Sequence, residues 1–160
     1  MRAAIIEGVG ASPEHTPHDH AQWADETLTR LSAQGLRNGG ARRAVVDLLG
    51  AQICCLTAQE IFDELRASGR AVGIASVYRI LELLTTEGFV QRIDLGAGIA
   101  RYEPVWPDGH HHHLVCDSCG KVEAFEDTAL ERALSRVEQS SGYAVAAHDV
   151  VLHGSCGTCR

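Results

Sequence analysis

The sequence lacks the long apolar runs that a membrane protein needs. No stretch approaches the roughly 18 residues of a membrane-spanning helix, so we expect no membrane partner. Its first residues hold only a short apolar stretch, closed by Glu7, which does not resemble a secretory signal, and we therefore expect a cytoplasmic protein. Hydrophobic residues make up 45% of the chain and charged residues 22%, which excludes wholesale disorder.

Lysine is nearly absent, since 13 of the 14 basic residues are arginine and Lys121 is the exception. The formal net charge of -7 excludes a polybasic coat for nucleic acid but leaves room for a local basic face. Eight arginines fall within residues 36–103, where the charge is balanced, whereas both flanking segments are acidic. Arginine suits bidentate contact with phosphate or guanine, although a GC-rich coding bias would give the same excess.

The common catalytic motifs are also missing. There is no HExxH, no P-loop, no GxGxxG and no Ser-His-Asp order. Mixed histidine and carboxylate ligation of a metal would still permit hydrolysis or oxygen chemistry. An enzyme would nevertheless leave the helix-turn-helix described next without a role, so we expect a protein that is not an enzyme.

The middle of the chain has the pattern of a winged helix-turn-helix. Apolar periodicity predicts helices over residues 22–34, 40–49 and 74–87, and a capping box, Thr57-Ala-Gln-Glu60, opens another that ends at Gly69. Two strand-like runs, FVQRIDL and IARYE, follow with a glycine-rich turn between them. The second helix of such a pair lies in the DNA major groove, although a small helical bundle would show similar periodicity. The polar face of that helix carries Ser76, Tyr78, Arg79 and Thr85.

A second, smaller lobe follows a connector rich in proline and glycine, PVWPDG. It reads as strands in HHHHLVC and KVEAF, an amphipathic helix over 127–141 and a strand over 143–153. We therefore predict an α+β protein with a flexible tail (1–20), a winged-helix domain (21–103) and a metal-binding dimerisation domain (104–160). A lobe of about 50 residues is too small to bury an ample core, so a metal or a partner chain should stabilise it.

Two CxxC pairs, separated by 36 residues, are the strongest chemical signal. Two such pairs can close a tetrahedral shell of four thiolates around zinc, with Zn–S distances of about 2.3 Å. Redox activity is the alternative, but neither pair precedes a helix within a βαβ unit. The predicted zinc ligands are Cys116, Cys119, Cys156 and Cys159.

Four consecutive histidines, 110–113, run straight into the first CxxC pair. Their internal position argues against an expression tag. Side chains alternate faces along a strand, so His110 and His112 should point one way and His111 and His113 the other, which suggests two metal sites. Imidazole with carboxylate suits Zn(II), Fe(II), Mn(II) or Ni(II). The candidates for the remaining ligands are Glu103, Glu123, Glu126, Glu131, His148 and Cys55.

Cys54 and Cys55 precede the capping box. Buried cysteines that pack as small hydrophobic residues are the ordinary interpretation of such a pair. A metal-ligand role for Cys55 is the alternative.

Taken together, the runs IASVYRILELLTTEGFV, RYE, HHHHLVCDSCGKVEAF and HGSCGTC resemble the ferric uptake regulator (Fur) family over about residues 22–159. The resemblance implies a homodimer of a winged-helix DNA-binding domain and an α/β dimerisation domain, which represses genes when a corepressor metal is bound. It assigns the four CxxC cysteines to a structural zinc site. It assigns Glu103, His111 and His113 to the regulatory metal site, and Cys55 stands where iron sensors usually have a histidine.

The resemblance implies further roles. It gives the second metal site four ligands, His110, His112, Glu131 and His148. It gives the DNA-binding surface Tyr78 and Arg79 on the recognition helix, beside Ser76, and Arg42 on an earlier helix. The subfamily stays open, because zinc sensors of one type have Asp and Cys where Gln91 and Val105 stand, and peroxide sensors have Asp at the position of Glu103. Ala124 stands where the family usually has a carboxylate, just before the phenylalanine of CGKVxxF, and Glu123 lies beside it.

The sequence thus predicts a metal-responsive repressor of metal-homeostasis genes, with structural Zn(II) and with Fe(II) or Zn(II), or Mn(II), as corepressor. Its expected partners are a second copy of the chain and a palindromic operator in double-stranded DNA. The alternatives are a peroxide-sensing regulator and, from another class, a metal-trafficking or storage protein.

Overall fold

The computed structural model describes residues 20–52, 54–96, 98–106 and 111–160, which fall into two compact units, 20–106 and 111–160. The predicted tail and His110 lie outside the described residues, apart from His20, which begins the first helix instead of ending the tail. No helix within these ranges is long and apolar enough to cross a membrane.

The N-terminal unit contains four helices and a three-stranded sheet. Its elements are α1 (His20–Ala33), α2 (Gly40–Gly50), β1 (Leu56–Thr57), α3 (Ala58–Ala67), α4 (Ile74–Thr86), β2 (Val90–Asp94) and β3 (Ala100–Pro104). The sheet is antiparallel in the order β1-β3-β2, so the hairpin of β2 and β3 is the predicted wing. β1 is a two-residue strand that the sequence pattern did not predict, because its partner strand, β3, lies some 45 residues later in the chain.

One hydrophobic cluster holds the four helices of this unit together. Leu31 of α1, Val45 of α2, Ile61 of α3 and Leu81 of α4 are each fully buried in it. Trp106 packs against the same cluster, so residues 104–106 lie with this unit. The domain limits drawn from the sequence, with their boundary after residue 103, remain a prediction.

The predicted capping box at the start of α3 is confirmed. The Thr57 hydroxyl accepts from the backbone N–H of Glu60 at 3.1 Å, and the Glu60 carboxylate accepts from the backbone N–H of Thr57 at 2.7 Å. Arg101 of β3 donates to the same carboxylate at 3.2 Å. The start of α3 is therefore tied to the wing strand as well as to its own cap.

α4 buries one face and exposes the other. Val77, Leu81 and Leu84 are fully buried, whereas Tyr78 is 54% exposed and Arg79 lies beside it on the exposed face. The inclusion of Thr85 in that polar face is wrong, because its hydroxyl oxygen is buried.

The C-terminal unit contains β4 (His112–Cys116), β5 (Val122–Phe125), α5 (Thr128–Ser141) and β6 (Val151–Gly154). β4 is central, antiparallel to β5 and parallel to β6. The predicted strand over 143–153 is wrong for its first eight residues. β4 is only five residues long and pairs with β6 from His113 onward, so a longer β6 has no partner there.

α5 is the predicted amphipathic helix, but none of its residues is buried in this chain. It begins at the Asp127 cap, whose carboxylate accepts from the backbone N–H groups of Ala129 and Leu130, and ends at Gly142, which has a φ of 73°. Leu130 and Leu134 are half-buried, and Val137 is 60% exposed.

Candidate functional site

The four CxxC cysteines come together at one end of the C-terminal sheet. Their Sγ atoms all lie within 4.8 Å of one another, and the Sγ atoms of Cys119 and Cys156 are 3.8 Å apart. The parallel pairing of β4 with β6 sets Cys116 opposite Gly154, which brings the second CxxC pair beside the first. All six cysteines of the chain, each of which the structure describes, are free thiols.

Backbone donors already favour the thiolate form of part of this cluster. The N–H of Cys156 donates to Sγ of Cys116 at 3.3 Å and, with the N–H groups of Cys119 and Ser118, lowers the pKa of the Cys116 thiol to about 6. The hydroxyl and the backbone N–H of Thr158 lower the pKa of the Cys156 thiol. Hydrogen bonds to its cysteine neighbours raise the pKa of the Cys159 thiol to about 12.

This donor set fits a zinc ion. A tetrahedron with Zn–S distances of about 2.3 Å has S–S edges of about 3.8 Å, which is the distance between Cys119 and Cys156. Four sulfur donors and backbone N–H groups aimed at sulfur are typical of structural zinc sites.

A second cluster joins β4 to α5. Nε2 of His112 lies 2.6 Å from Oε1 of Glu131, and Nε2 of His148 lies 3.3 Å from Oε2 of the same carboxylate. His112 is 1% exposed. The structure therefore brings together three of the four residues predicted for the second metal site, and His110 lies outside the described residues.

His111 and His113 stand apart from that cluster. Their rings are neighbours, with centroids 5.0 Å apart, while the ring of His112 lies 5.5 Å from that of His148. The predicted alternation of faces is thus confirmed for the three described histidines of the run. β4 itself begins only at His112.

In the N-terminal unit, Glu103 and two cysteines occupy buried positions. Glu103 is 2% exposed and accepts from Nε2 of Gln91 at 2.5 Å. Cys54 and Cys55 are 4% and 3% exposed, and their Sγ atoms are 3.8 Å apart. The hydrogen bond between the two thiols, together with burial, raises the pKa of the Cys55 thiol far above its usual range.

The predicted DNA-contacting residues lie on the exposed face of α4 and at the start of α2. Tyr78 and Arg79 are exposed on α4, and the Arg79 guanidinium donates to the Ser76 hydroxyl at 3.2 Å. Arg42 is half-buried at the start of α2 and donates to the carbonyl of Arg37 at 2.6 Å. Arg42 thus braces the turn between α1 and α2 in this structure.

Sequence reasoning missed the contacts of two residues, Gln91 and Arg101, around Glu103 and Cys55. Gln91 was noted only as a departure from zinc sensors, yet it holds the Glu103 carboxylate. Arg101 donates to the carbonyl of Cys55 at 3.4 Å, and Cys54 lies beside Cys55. The alternation of β2 and β3 could have indicated Gln91, whereas the contact of Arg101 depends on a fold-back that no local pattern encodes.

Comparison with known proteins decides the family. The model of the ferric uptake regulator family matches residues 33–153 of the chain. The chain belongs to the ferric uptake regulator family. As a member of the Fur family it is a metal-responsive transcriptional regulator, and regulators of this family are dimeric DNA-binding proteins.

The similar proteins include both ferric and zinc uptake regulators. The ferric uptake regulation protein of Bordetella parapertussis is 31% identical over 134 residues, covering 82% of this chain and 95% of that protein. The zinc uptake regulation protein of Mycobacterium tuberculosis is 34% identical over 130 residues, covering 81% and 99%. Among solved structures, the Fur protein of Helicobacter pylori, which has three functional metal-binding sites, matches with a TM-score of 0.76 and 27% identity over 89% of this chain and 94% of that one.

Proposed function

We propose that this Fur-family chain is a homodimeric repressor whose binding to a palindromic operator is switched by a corepressor metal. The regulatory ligands are Glu103, His111 and His113, with Cys55. Two observations carry the proposal: the N-terminal unit has a buried carboxylate, Glu103, near the end of β3, and the C-terminal unit has two adjacent imidazoles, His111 and His113, where β4 begins. One ion that takes ligands from both units couples them.

The switch follows from symmetry. A two-fold dimer carries two α4 helices, and both enter successive major grooves only when their separation and angle match the half-site spacing. Metal that couples each winged-helix unit to the dimerisation unit favours one such arrangement. Metal binding and operator binding are then linked, and each strengthens the other by the same factor.

The remaining sites have supporting roles. Zinc on the four CxxC cysteines, when bound, supplies a cross-link that stabilises the C-terminal sheet. A metal on His112, Glu131 and His148, with His110, ties β4 to α5 and stabilises the dimerisation unit. We infer that the protein is not an enzyme, since the proposed sites bind metal or DNA, and that it acts in the cytoplasm as a DNA-binding repressor.

The exposed face of α4 is the operator-reading surface. Tyr78 and Arg79 project from it, and Ser76 holds the Arg79 guanidinium by a hydrogen bond. Arginine at this position suits bidentate contact with guanine or phosphate. Arg42 contributes by bracing α2 and by its positive charge at the start of that helix.

The test is metal-dependent binding to duplexes selected from a random pool by the wild-type protein with Zn(II), Fe(II) or Mn(II). The double variant His111→Ala/His113→Ala should lose metal-dependent binding while its melting temperature with structural zinc stays close to wild type. The matched control is Glu131→Gln in the cluster of His112, Glu131 and His148. This variant should lower the melting temperature and leave the metal dependence of DNA binding unchanged.

Three outcomes contradict the proposal. If metal binds tightly but no duplex is selected, the protein is a metal-trafficking or storage protein. If the two variants exchange phenotypes, the regulatory ligands have been assigned to the wrong face of β4. A protein whose DNA binding is lost on treatment with peroxide, with metal unchanged, is instead a peroxide sensor.

A further inference from the structure

Cys54 and Cys55 form a pair of buried thiols in the N-terminal unit. Only Cys55 has a role in the proposed regulatory site. Both are nearly inaccessible, at 4% and 3% exposed, yet neither belongs to the hydrophobic cluster that fills this unit. Their environment is polar on one side, because Arg101 donates to the Cys55 carbonyl at 3.4 Å. Ordinary packing of two small hydrophobic residues does not account for this position.

The spacing of the two sulfur atoms suits a single metal ion. Their Sγ atoms are 3.8 Å apart, which matches the edge of a tetrahedral zinc–thiolate shell, about 3.8 Å for Zn–S bonds of about 2.3 Å. The same 3.8 Å separates Cys119 and Cys156 in the four-cysteine site. Cys54 lies at a bend before β1, which allows the side chains of these two adjacent residues to approach each other.

The register of the sheet places a carboxylate near Cys55. β1 pairs with β3 so that Leu56 lies opposite Tyr102 and Thr57 opposite Arg101. Extending this register by one residue sets Cys55 opposite Glu103, the buried carboxylate already assigned to the regulatory site. On the other side, β2 sets Gln91 opposite Glu103, and the Gln91 amide holds the Glu103 carboxylate.

We propose that Cys54 is a regulatory metal ligand together with Cys55 and Glu103, so that the N-terminal unit offers the corepressor two thiolates and one carboxylate. This inference rests on the proposed function and deepens it, because it names the metal. Thiolates are soft ligands that favour Zn(II) over Fe(II) and Mn(II), which prefer imidazole, carboxylate and water. The chain is therefore a zinc-responsive member of the family.

This set of ligands also connects the metal to the helix-turn-helix. Cys55 leads directly into β1 and the capping box of α3, and Arg101 links the Cys55 carbonyl to the Glu60 carboxylate of that box. A metal that fixes both sulfur atoms therefore fixes the start of the helix-turn-helix.

The experiment uses the full-length dimer with zinc on the four-cysteine site, kept reduced, and Co(II) added as the spectroscopic probe of the next site to fill. Thiolate-to-cobalt charge transfer gives a near-ultraviolet band whose intensity follows the number of Co–S bonds. The wild type should show the band, Cys54→Ser and Cys55→Ser should each show about half of it, and the double variant should show none. The control Ala58→Ser, which adds a hydroxyl at a buried position on α3, should leave it unchanged.

A second measurement tests selectivity on the same proteins. Competition with a chelator should show Cys54→Ser weakening Zn(II) binding by at least about tenfold, with Fe(II) affinity changed by less than about threefold, because one soft ligand is replaced by a hard one. Metal-dependent operator binding, measured in parallel, should shift to about tenfold higher Zn(II).

The wild-type spectrum alone can overturn the inference, whatever the variants do. If Co(II) gives no near-ultraviolet band there, or if the band is the same in Cys54→Ser, then Cys54 is not a ligand. Metal-dependent operator binding that persists in that case leaves the proposed function standing. Operator binding that does not depend on metal at all contradicts the proposed function, independently of the band.

Discussion

The two units of this chain are stabilised in different ways. In the N-terminal unit, every helix contributes to one cluster of buried apolar side chains. Within residues 111–160, the buried residues are Cys116, Ala124, His112 and His113, and α5 has none. One unit is therefore held by apolar burial, and the other by metal-binding groups and by whatever covers α5.

The difference follows from size. A lobe of some 50 residues has too much surface for its volume to bury a sufficient apolar core, so metal ligation has to supply part of the folding free energy. Leu130 and Leu134 are half-buried and Val137 is exposed, so the apolar face of α5 is not fully covered within the single chain.

The largest effect should come from the four-cysteine site. Cys119→Ser should lose about one zinc per chain and unfold the C-terminal unit, because an incomplete shell no longer replaces the missing core. The N-terminal unit should keep its fold. Zinc analysis measures the metal content, sedimentation measures the oligomeric state, and hydrogen exchange resolved by segment shows which unit has unfolded. A variant that stays dimeric without zinc and protects β4 and β6 as the wild type does would contradict the comparison.

The converse change should affect only the other unit. Leu81→Ala empties a fully buried position in α4 and should cost ~2–5 kcal/mol of the unfolding free energy of the N-terminal unit. Zinc content should not change. Urea unfolding followed by the two tryptophans, Trp23 and Trp106, reports this unit. The control Val137→Ala, exposed in the single chain, should leave that transition in place, and equal effects of both variants would show that the units unfold together.

Acid should separate the two kinds of thiol site. In the four-cysteine site, the pKa of Cys116 is lowered to about 6 and that of Cys156 is also lowered, so protons compete with zinc weakly for these two thiolates, and Cys159, with a pKa raised to about 12, still releases its proton when zinc binds. The pKa of Cys55 is raised, so metal uptake there releases a proton and the affinity falls about tenfold per pH unit for each proton released. From pH 8 to 6.5, dialysis against a chelator should remove the regulatory metal first. Simultaneous loss of both metals would contradict this order.

The smallest effects should come from the two helix caps, one in each unit. Thr57→Ala and Asp127→Ala each remove a side chain that accepts from the first turn, at a cost of ~0.5–2 kcal/mol. Thr57→Ala should raise hydrogen exchange in α3, and Asp127→Ala in α5, with little effect across units. Thr86→Ala and Ser135→Ala, exposed positions without a capping role, are the matched controls. Exchange that rises in both units for either cap variant would argue against separate stabilisation.

Local patterns predicted most of the fold. The helix bounds of α2 and α4 were predicted to within a residue, and the capping box of α3 was predicted from Thr57 with Glu60. These features depend on residues within one or two turns of each other. The error over residues 143–150 arose where alternation favoured a strand but the partner strand was too short, a fact that no local pattern carries.

Spacing along the chain was enough to predict three features: two CxxC pairs that can chelate a metal, a histidine run whose faces alternate, and a helix whose exposed side carries Tyr78 and Arg79. Which of these groups lie together depends on the tertiary fold. Parallel pairing of β4 with β6 joins the two CxxC pairs, and the register of β1 on β3 sets Leu56 opposite Tyr102, one residue away from Cys55 and Glu103. The reason is physical: spacing along a helix or strand fixes only neighbours a few residues apart, whereas contacts between distant residues are set by strand register and by the burial that selects it.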